Sequence, residues 1–145
     1  MQIEPRPHDD PGLSFLLDLA LKELFVRYPD SSSTHYLDPA TSFLVAVSAN
    51  DAVGCIGLMP AVDGVGEIKR MFVRSDQRGR GLARLLVPVL EQNAAARGDH
   101  TVRLATGQRQ PEAVALYESL GYSRTGPYGK YLHDPLALCY TKPLT

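Results

Sequence analysis

Hydrophobic and polar residues alternate along this chain with two periods, about 3.6 and about 2, and each change of period marks a predicted element. Met1 to Pro7 is expected to hold a short first strand. Leu17, Leu21, Leu24 and Tyr28 recur at helical spacing, which predicts a helix over Ser14 to Tyr28, closed by Pro29. The turn-rich stretch from Pro29 to His35 predicts a surface loop. Phe43 to Ser48 and Val53 to Ala61 read as two strands of a hairpin turning at Asn50-Asp51. Glu67 to Val73 alternates as a third run, with Glu67, Lys69, Met71 and Val73 on one face and Ile68, Arg70 and Phe72 on the other.

The clearest helix is Arg80 to Arg97, where Leu82, Leu85, Leu86, Val89 and Leu90 build an apolar stripe and Gly98 stops it. Pro88 removes the bond to the carbonyl of Arg84, so a kink is expected there. Thr101 to Thr106 is a strand, and Pro111 to Leu120 a helix with Pro in its first turn and Gly121 at its end. Ser123 to Thr125 and Leu136 to Lys142 give two closing strands. These elements predict an α/β (α+β) fold: one domain over residues 1–145, built on a mixed, mostly antiparallel sheet of six or seven strands with helices on both faces.

Composition narrows the class. An apolar fraction of 44% and a charged fraction of 21% suit a folded globular chain. No basic segment followed by an apolar run opens the sequence, and the stretch from Leu13 to Val26 is interrupted by Asp18, Lys22 and Glu23. A cytoplasmic protein away from the membrane is the expectation. Cys55 and Cys139 lie far apart with apolar neighbours and read as buried small hydrophobes, and the four histidines are scattered, so no metal is expected.

Charge is distributed unevenly. Met1 to Glu67 holds ten acids against three bases, whereas Ile68 to Thr145 holds twelve bases against six acids. Lys69, Arg70, Arg74, Arg78, Arg80 and Arg84 crowd beside one acid, Asp76. Such a field suits a compact polyanionic ligand, while nucleic acid would require a wider basic face. The acidic first half would suit a cationic amine, and solvated surface explains those acids equally well.

Gln77-Arg78-Gly79-Arg80-Gly81-Leu82-Ala83 sits between a strand and the start of the amphipathic helix. Glycines allow close approach of backbone, and the first amides of a helix lack internal partners, so the segment can receive an anion. A Gly-rich turn without a ligand is the alternative. The P-loop pattern is absent, and the dinucleotide fingerprint fails because Arg84 stands where its third glycine is required.

Arg78-Gly-Arg-Gly81-Leu-Ala83 resembles the [QR]xxGx[GA] acyl-CoA motif of the GNAT superfamily of N-acetyltransferases. Glu67 to Val73 is similar to the strand that enters that motif, and Gln110 to Tyr122 to its NxxAxxLYxxxGF element. GEIKRMFV and TGxRQPEA also resemble bacterial members of unsettled substrate. The resemblance implies the GNAT-like fold, acetyl-CoA as cosubstrate and acetyl transfer to a primary amine of a small molecule or peptide. Its alternative is an acyl-CoA-binding sensor without catalysis. The implied binding residues are Met71, Phe72 and Val73 along the pantetheine, Arg78, Gly79, Arg80, Gly81, Leu82 and Ala83 at the diphosphate, and Gln110, which replaces the family's frequent Asn. By the same analogy the fold admits a homodimer.

Attack by an amine requires a base, a partner for the carbonyl oxygen and a proton for the departing thiolate. Glu67 resembles the family's glutamate base, or it is an ion-pair partner of Lys69. Tyr117 matches the family's tyrosine acid, or it packs the core beside Ala113, Leu116 and Leu120. A backbone N–H near Met71 or Phe72 is placed for the oxyanion. Tyr28 to Asp38 and Gly126 to Asp134 are the segments expected to line the acceptor site.

Overall fold

Alternating apolar runs in the sequence become seven strands: β1 (Gln2–Arg6), β2 (Ser42–Ser48), β3 (Asp51–Leu58), β4 (Val65–Val73), β5 (Thr101–Gly107), β6 (Ser123–Thr125) and β7 (Ala137–Pro143). The computed structural model describes residues 1–29 and 37–145. The loop expected after Pro29 and much of the Tyr28 to Asp38 segment fall outside the described residues. The strands form one sheet in the order β1-β2-β3-β4-β5-β7-β6. Every pairing is antiparallel except β4 with β5, which run parallel. The mixed, mostly antiparallel sheet and its helices agree with the expected architecture.

Each face of the sheet has its own core. Helices α2 (Leu82–Ala96) and α3 (Pro111–Ser119) cover one face, where Leu82, Leu86, Val87 and Leu90 pack with Ile56, Ile68, Val102, Leu104, Tyr117 and Tyr140. Helix α1 (Pro11–Arg27) covers the other, where Leu13 and Leu16 pack with Phe43, Val45, Cys55 and Phe72. Burial of each such aliphatic side chain contributes about 1.5–3 kcal/mol.

Several boundaries differ from the sequence reading. Helix α1 begins at Pro11, not Ser14, because the Asp10 carboxylate accepts the Leu13 amide at 2.9 Å and Pro11 occupies the first turn. The hairpin between β2 and β3 turns at Ala49-Asn50, both in the left-handed region at φ 50° and 69°. Two such residues match the twist of the strands they join. In α2, Leu85 is 49% exposed and Val87 takes its place in the core. The helix continues through Pro88 across its full span. Arg84, whose carbonyl loses its donor, lies on the exposed side, where solvent can serve it.

The predicted alternation along β4 also breaks. Ile68, Met71 and Val73 pack on the α2 side, whereas Phe72 enters the α1 core. Strict alternation would place Ile68 and Phe72 on the same face. The cause is a bulge: Cys55 pairs with Phe72 but Gly57 pairs with Lys69, so three steps on β4 face two on β3. Arg70 takes up the extra residue at φ 56°. Glu67 and Val73, expected on one face, therefore lie on opposite faces.

Candidate active site

Strand β4 pairs with β5 only at Val65↔Thr101, Gly66↔Val102 and Glu67↔Arg103. Beyond that point β5 stays bonded to β7 as far as Gly107↔Ala137, and β4 stays bonded to β3 as far as Val73↔Gly54. The sheet therefore splits between them. The bulge at Arg70 bends β4 at the start of the gap, and the Arg70 carbonyl accepts the buried Cys55 thiol at 3.4 Å. Burial pushes the Cys55 thiol up to about 12, so it is neutral and unreactive.

The split opens a cleft of about 720 Å³. Its walls come from the end of α1, the edge of β4 from Ile68 to Phe72, the end of β5, the start of α3 and the loop before β7. Met71, Phe72, Gln110 and Tyr117, four of the expected site residues, line it together. Tyr28, Lys130, Tyr131, His133 and Asp134, from the two segments expected to face an acceptor, line it as well.

Arg78 to Ala83 follow the end of β4 after one 3-10 turn at Ser75–Gln77. Gly79 and Gly81 have φ 80° and 78°, and a Cβ at either would meet nothing within 4 Å. The left-handed turns aim the loop into α2, and its outer surface is open. Gly81 is the N-cap and provides no side-chain cap. Among the described residues, the amides of Arg78, Gly79, Arg80, Gly81, Leu82 and Ala83 donate no hydrogen bond. Six amide donors without an internal acceptor, at a helix N-terminus with no acid in its first turn, match the chemistry of a diphosphate. Arg80 and Arg84 have no partner among the described residues, whereas the Arg78 guanidinium donates to the Val73 carbonyl at 2.9 Å and to Glu23 of α1 at 2.6 Å.

Tyr117 is 4% exposed, its ring edge-on to Tyr122 at 5.5 Å between centroids. Its hydroxyl has no hydrogen-bond partner among the described residues, and burial raises its pKa above the ordinary phenol range. Glu67 lies at the last paired position before the split, its carboxylate 2.8 Å from Lys69 Nζ and 3.3 Å from Arg103 Nε. It is not among the residues that line the cleft. Gln110 precedes the first turn of α3, and its side-chain oxygen accepts from the Thr106 hydroxyl at 3.4 Å.

Sequence reasoning missed two groups. The first is a clasp across the cleft: the Tyr28 hydroxyl accepts the Arg109 amide at 3.0 Å, and Arg27 and Arg109 each donate to the other's carbonyl at 3.0 Å. Gly107 permits it, since a Cβ there would overlap the Tyr28 hydroxyl. The second is a basic cluster of Lys69, Arg70 and Lys130 about Tyr131. Behind it Arg103 stacks 3.8 Å from the Tyr128 ring centroid, and the buried Tyr128 hydroxyl is unpartnered among the described residues. Only the proximity of basic and tyrosine residues in Tyr128 to Tyr131 hinted at this. Among the described residues, no group of three His, Cys, Asp or Glu side chains could hold a metal, and no helix is long and apolar enough to cross a membrane.

Known proteins resemble this chain in sequence and fold. The Acetyltransferase (GNAT) family model matches residues 13–122. An IAA acetyltransferase of Azospirillum brasilense is 40% identical over 126 residues, covering 81% of this chain and 80% of that protein. The chain spans only 43–50% of the length of the mammalian N-acetyltransferases that it also matches. A Klebsiella pneumoniae protein assigned as an acyl-CoA N-acyltransferase is 32% identical, with a TM-score of 0.84 over 99% of this chain and 97% of its own. A GNAT acetyltransferase of Elizabethkingia anophelis, solved with acetyl-CoA bound, shares the fold at 21% identity, with a TM-score of 0.75 over 99% and 97% of the two chains. The chain belongs to the GNAT family of acetyltransferases, enzymes whose acyl donor is acetyl-CoA.

Proposed function

We propose that this enzyme moves the acetyl group of acetyl-CoA to a primary amine of a small molecule or peptide, by direct attack in a ternary complex. One observation carries the reading: an unpaired edge of β4 leads, through a 3-10 turn and the glycine loop, to a helix N-terminus whose amides have no internal acceptor. The donor's diphosphate fits the amides of Arg78, Gly79, Gly81 and Ala83, with Arg80 and Leu82 completing the loop and Arg80 adding charge. An anion at such a terminus gains about 0.3–2 kcal/mol from the helix dipole alone. The N–H and C=O groups of Met71 and the N–H of Val73, on the β4 edge that does not pair with β5, suit the peptide-like amides of pantetheine, as a strand edge suits an added strand, while the Val73 carbonyl is held by the Arg78 guanidinium. Phe72 closes the α1 side, and Gln110 lies at the mouth of α3.

When bound, the donor supplies a thioester carbonyl open to attack. A backbone N–H at the bulge, by Met71 or Phe72, meets the charge that develops on its oxygen. Tyr117 remains protonated at any working pH and donates to the departing sulfur. Glu67, held by Lys69 and Arg103, takes the amine proton through water. Neither buried cysteine is required as a nucleophile. The test is acetyl-CoA titration by calorimetry beside an amine panel followed by CoA release. Tight binding with turnover of at least one amine is expected, and binding without turnover of any would refute catalysis.

A further inference from the structure

The acceptor end of the cleft can be located without a ligand. Strand β4 runs towards the diphosphate loop, so an amine approaching the thioester from the opposite side meets the residues that precede Met71. Those are Lys69 and Arg70, faced by Lys130 and Tyr131 from the loop before β7. Lys69 Nζ and Lys130 Nζ lie 5.2 and 5.3 Å from the same ring centroid, that of Tyr131. Lys69 is balanced by Glu67 at 2.8 Å and donates to the Tyr131 hydroxyl at 2.8 Å. Lys130 has no carboxylate within ion-pair distance among the described residues. Asp134, the one acid of this loop that lines the cleft, uses its carboxylate to cap the Leu136 amide at 3.0 Å. Burial lowers the pKa of Lys130, and the charges of Lys69 and Arg70 lower it further.

Cations held together against their own repulsion stabilise an anion placed among them. We infer that the acceptor is an amine carrying an anionic group, a carboxylate or phosphate, which Lys130 and the neighbouring Lys69 and Arg70 hold while the amine faces the thioester. The same charges disfavour the ammonium form of the acceptor and so present the nucleophile unprotonated. The acids in the first half of the chain suit a cationic acceptor or a solvated surface equally well, and the wall of the cleft at this end is basic. This inference rests on the proposed acetyl transfer and narrows its substrate.

The experiment compares matched acceptors: L-amino acids against their primary amides, and O-phosphoethanolamine against ethanolamine, each with saturating acetyl-CoA. The anionic member should be favoured in kcat/KM by roughly tenfold or more, mainly through KM, as expected for a charge-assisted contact. The pair that shows the preference distinguishes carboxylate from phosphate. Lys130→Gln should collapse that ratio, and Lys130→Glu should invert it towards the neutral members, with the KM for acetyl-CoA unaltered. An equal or reversed preference in wild type would overturn the inference and leave acetyl transfer standing. Binding of acetyl-CoA with no turnover of either member of any pair would overturn both.

Discussion

Replacing Tyr117 by Phe separates catalysis from packing at the residue where both readings are strongest. The ring is buried and edge-on to Tyr122, and Phe keeps that contact. The hydroxyl has no partner among the described residues, so its removal breaks no bond in the free protein. Deleting an unpaired hydroxyl on a ring that lines the cleft is close to neutral, and the unfolding free energy should change by less than about 0.5 kcal/mol. In turnover the same hydroxyl would donate to a charged sulfur, a bond of about 1.5–3 kcal/mol. Its loss should lower kcat roughly 10- to 150-fold. Urea unfolding and steady-state CoA release, on one preparation, measure both quantities. Tyr117→Ala provides the contrast, losing about 3–5 kcal/mol of stability by emptying the core. An unchanged kcat in the Phe variant would reduce Tyr117 to packing. A stability loss above about 1 kcal/mol would show that the hydroxyl has a protein partner.

Three other outcomes test the architecture around the site. Ala49→Gly should raise stability by about 1 kcal/mol, because a side chain at φ 50° is strained and glycine is not; an unchanged urea midpoint would argue against the two-residue turn. Gly107→Ala should cost about 1–3 kcal/mol by driving a Cβ into the Tyr28 hydroxyl, and Tyr28→Ala should remove most of that cost in a double-mutant cycle; additive effects would refute the close approach. Burial raises the phenol pKa of Tyr117, Tyr122 and Tyr128 in the folded state. Their contribution to stability is complete below the ordinary phenol value of about 10 and is lost as pH rises above it, since the unfolded chain ionises first. Unfolding free energy that rises between about pH 10 and 11.5 would contradict this sign.

The order of elements was legible because each rests on local chemistry. Leu82, Leu86 and Leu90 announce α2, Pro111 and Gly121 bracket α3, and Gly79 and Gly81 mark the turn between β4 and α2. The errors lie where tertiary structure overrides local pattern. Nothing in the letters around Arg70 signals a left-handed residue, so periodicity alone predicts an unbroken phase along β4. Ala49 is not a residue that advertises a turn, so the letters favour Asn50-Asp51, one position beyond the actual turn. Leu85 fits the apolar stripe by spacing, yet the angle at which α2 crosses the sheet leaves it in solvent. The gap between β4 and β5 has no local signal, and the clasp of Tyr28, Gly107 and Arg109 joins residues too far apart in sequence for any periodicity to connect.

The bulge explains why the split falls where it does. Without it, Ile68 and Phe72 would share a face, and the core under α1 would lose Phe72 from beside Phe43. One extra residue lets β4 serve both cores, Ile68, Met71 and Val73 under α2 and Phe72 under α1. The left-handed Arg70 costs about 1–2 kcal/mol, offset by burying Phe72 and by the Cys55 thiol bonded to its carbonyl. The same bend carries β4 off β5 and leaves an unpaired strand edge inside the sheet. Such an edge is a liability in a monomeric fold unless something pairs with it. In the proposed complex the pantetheine amides occupy that edge, so packing two cores and binding the acyl donor have a single structural cause.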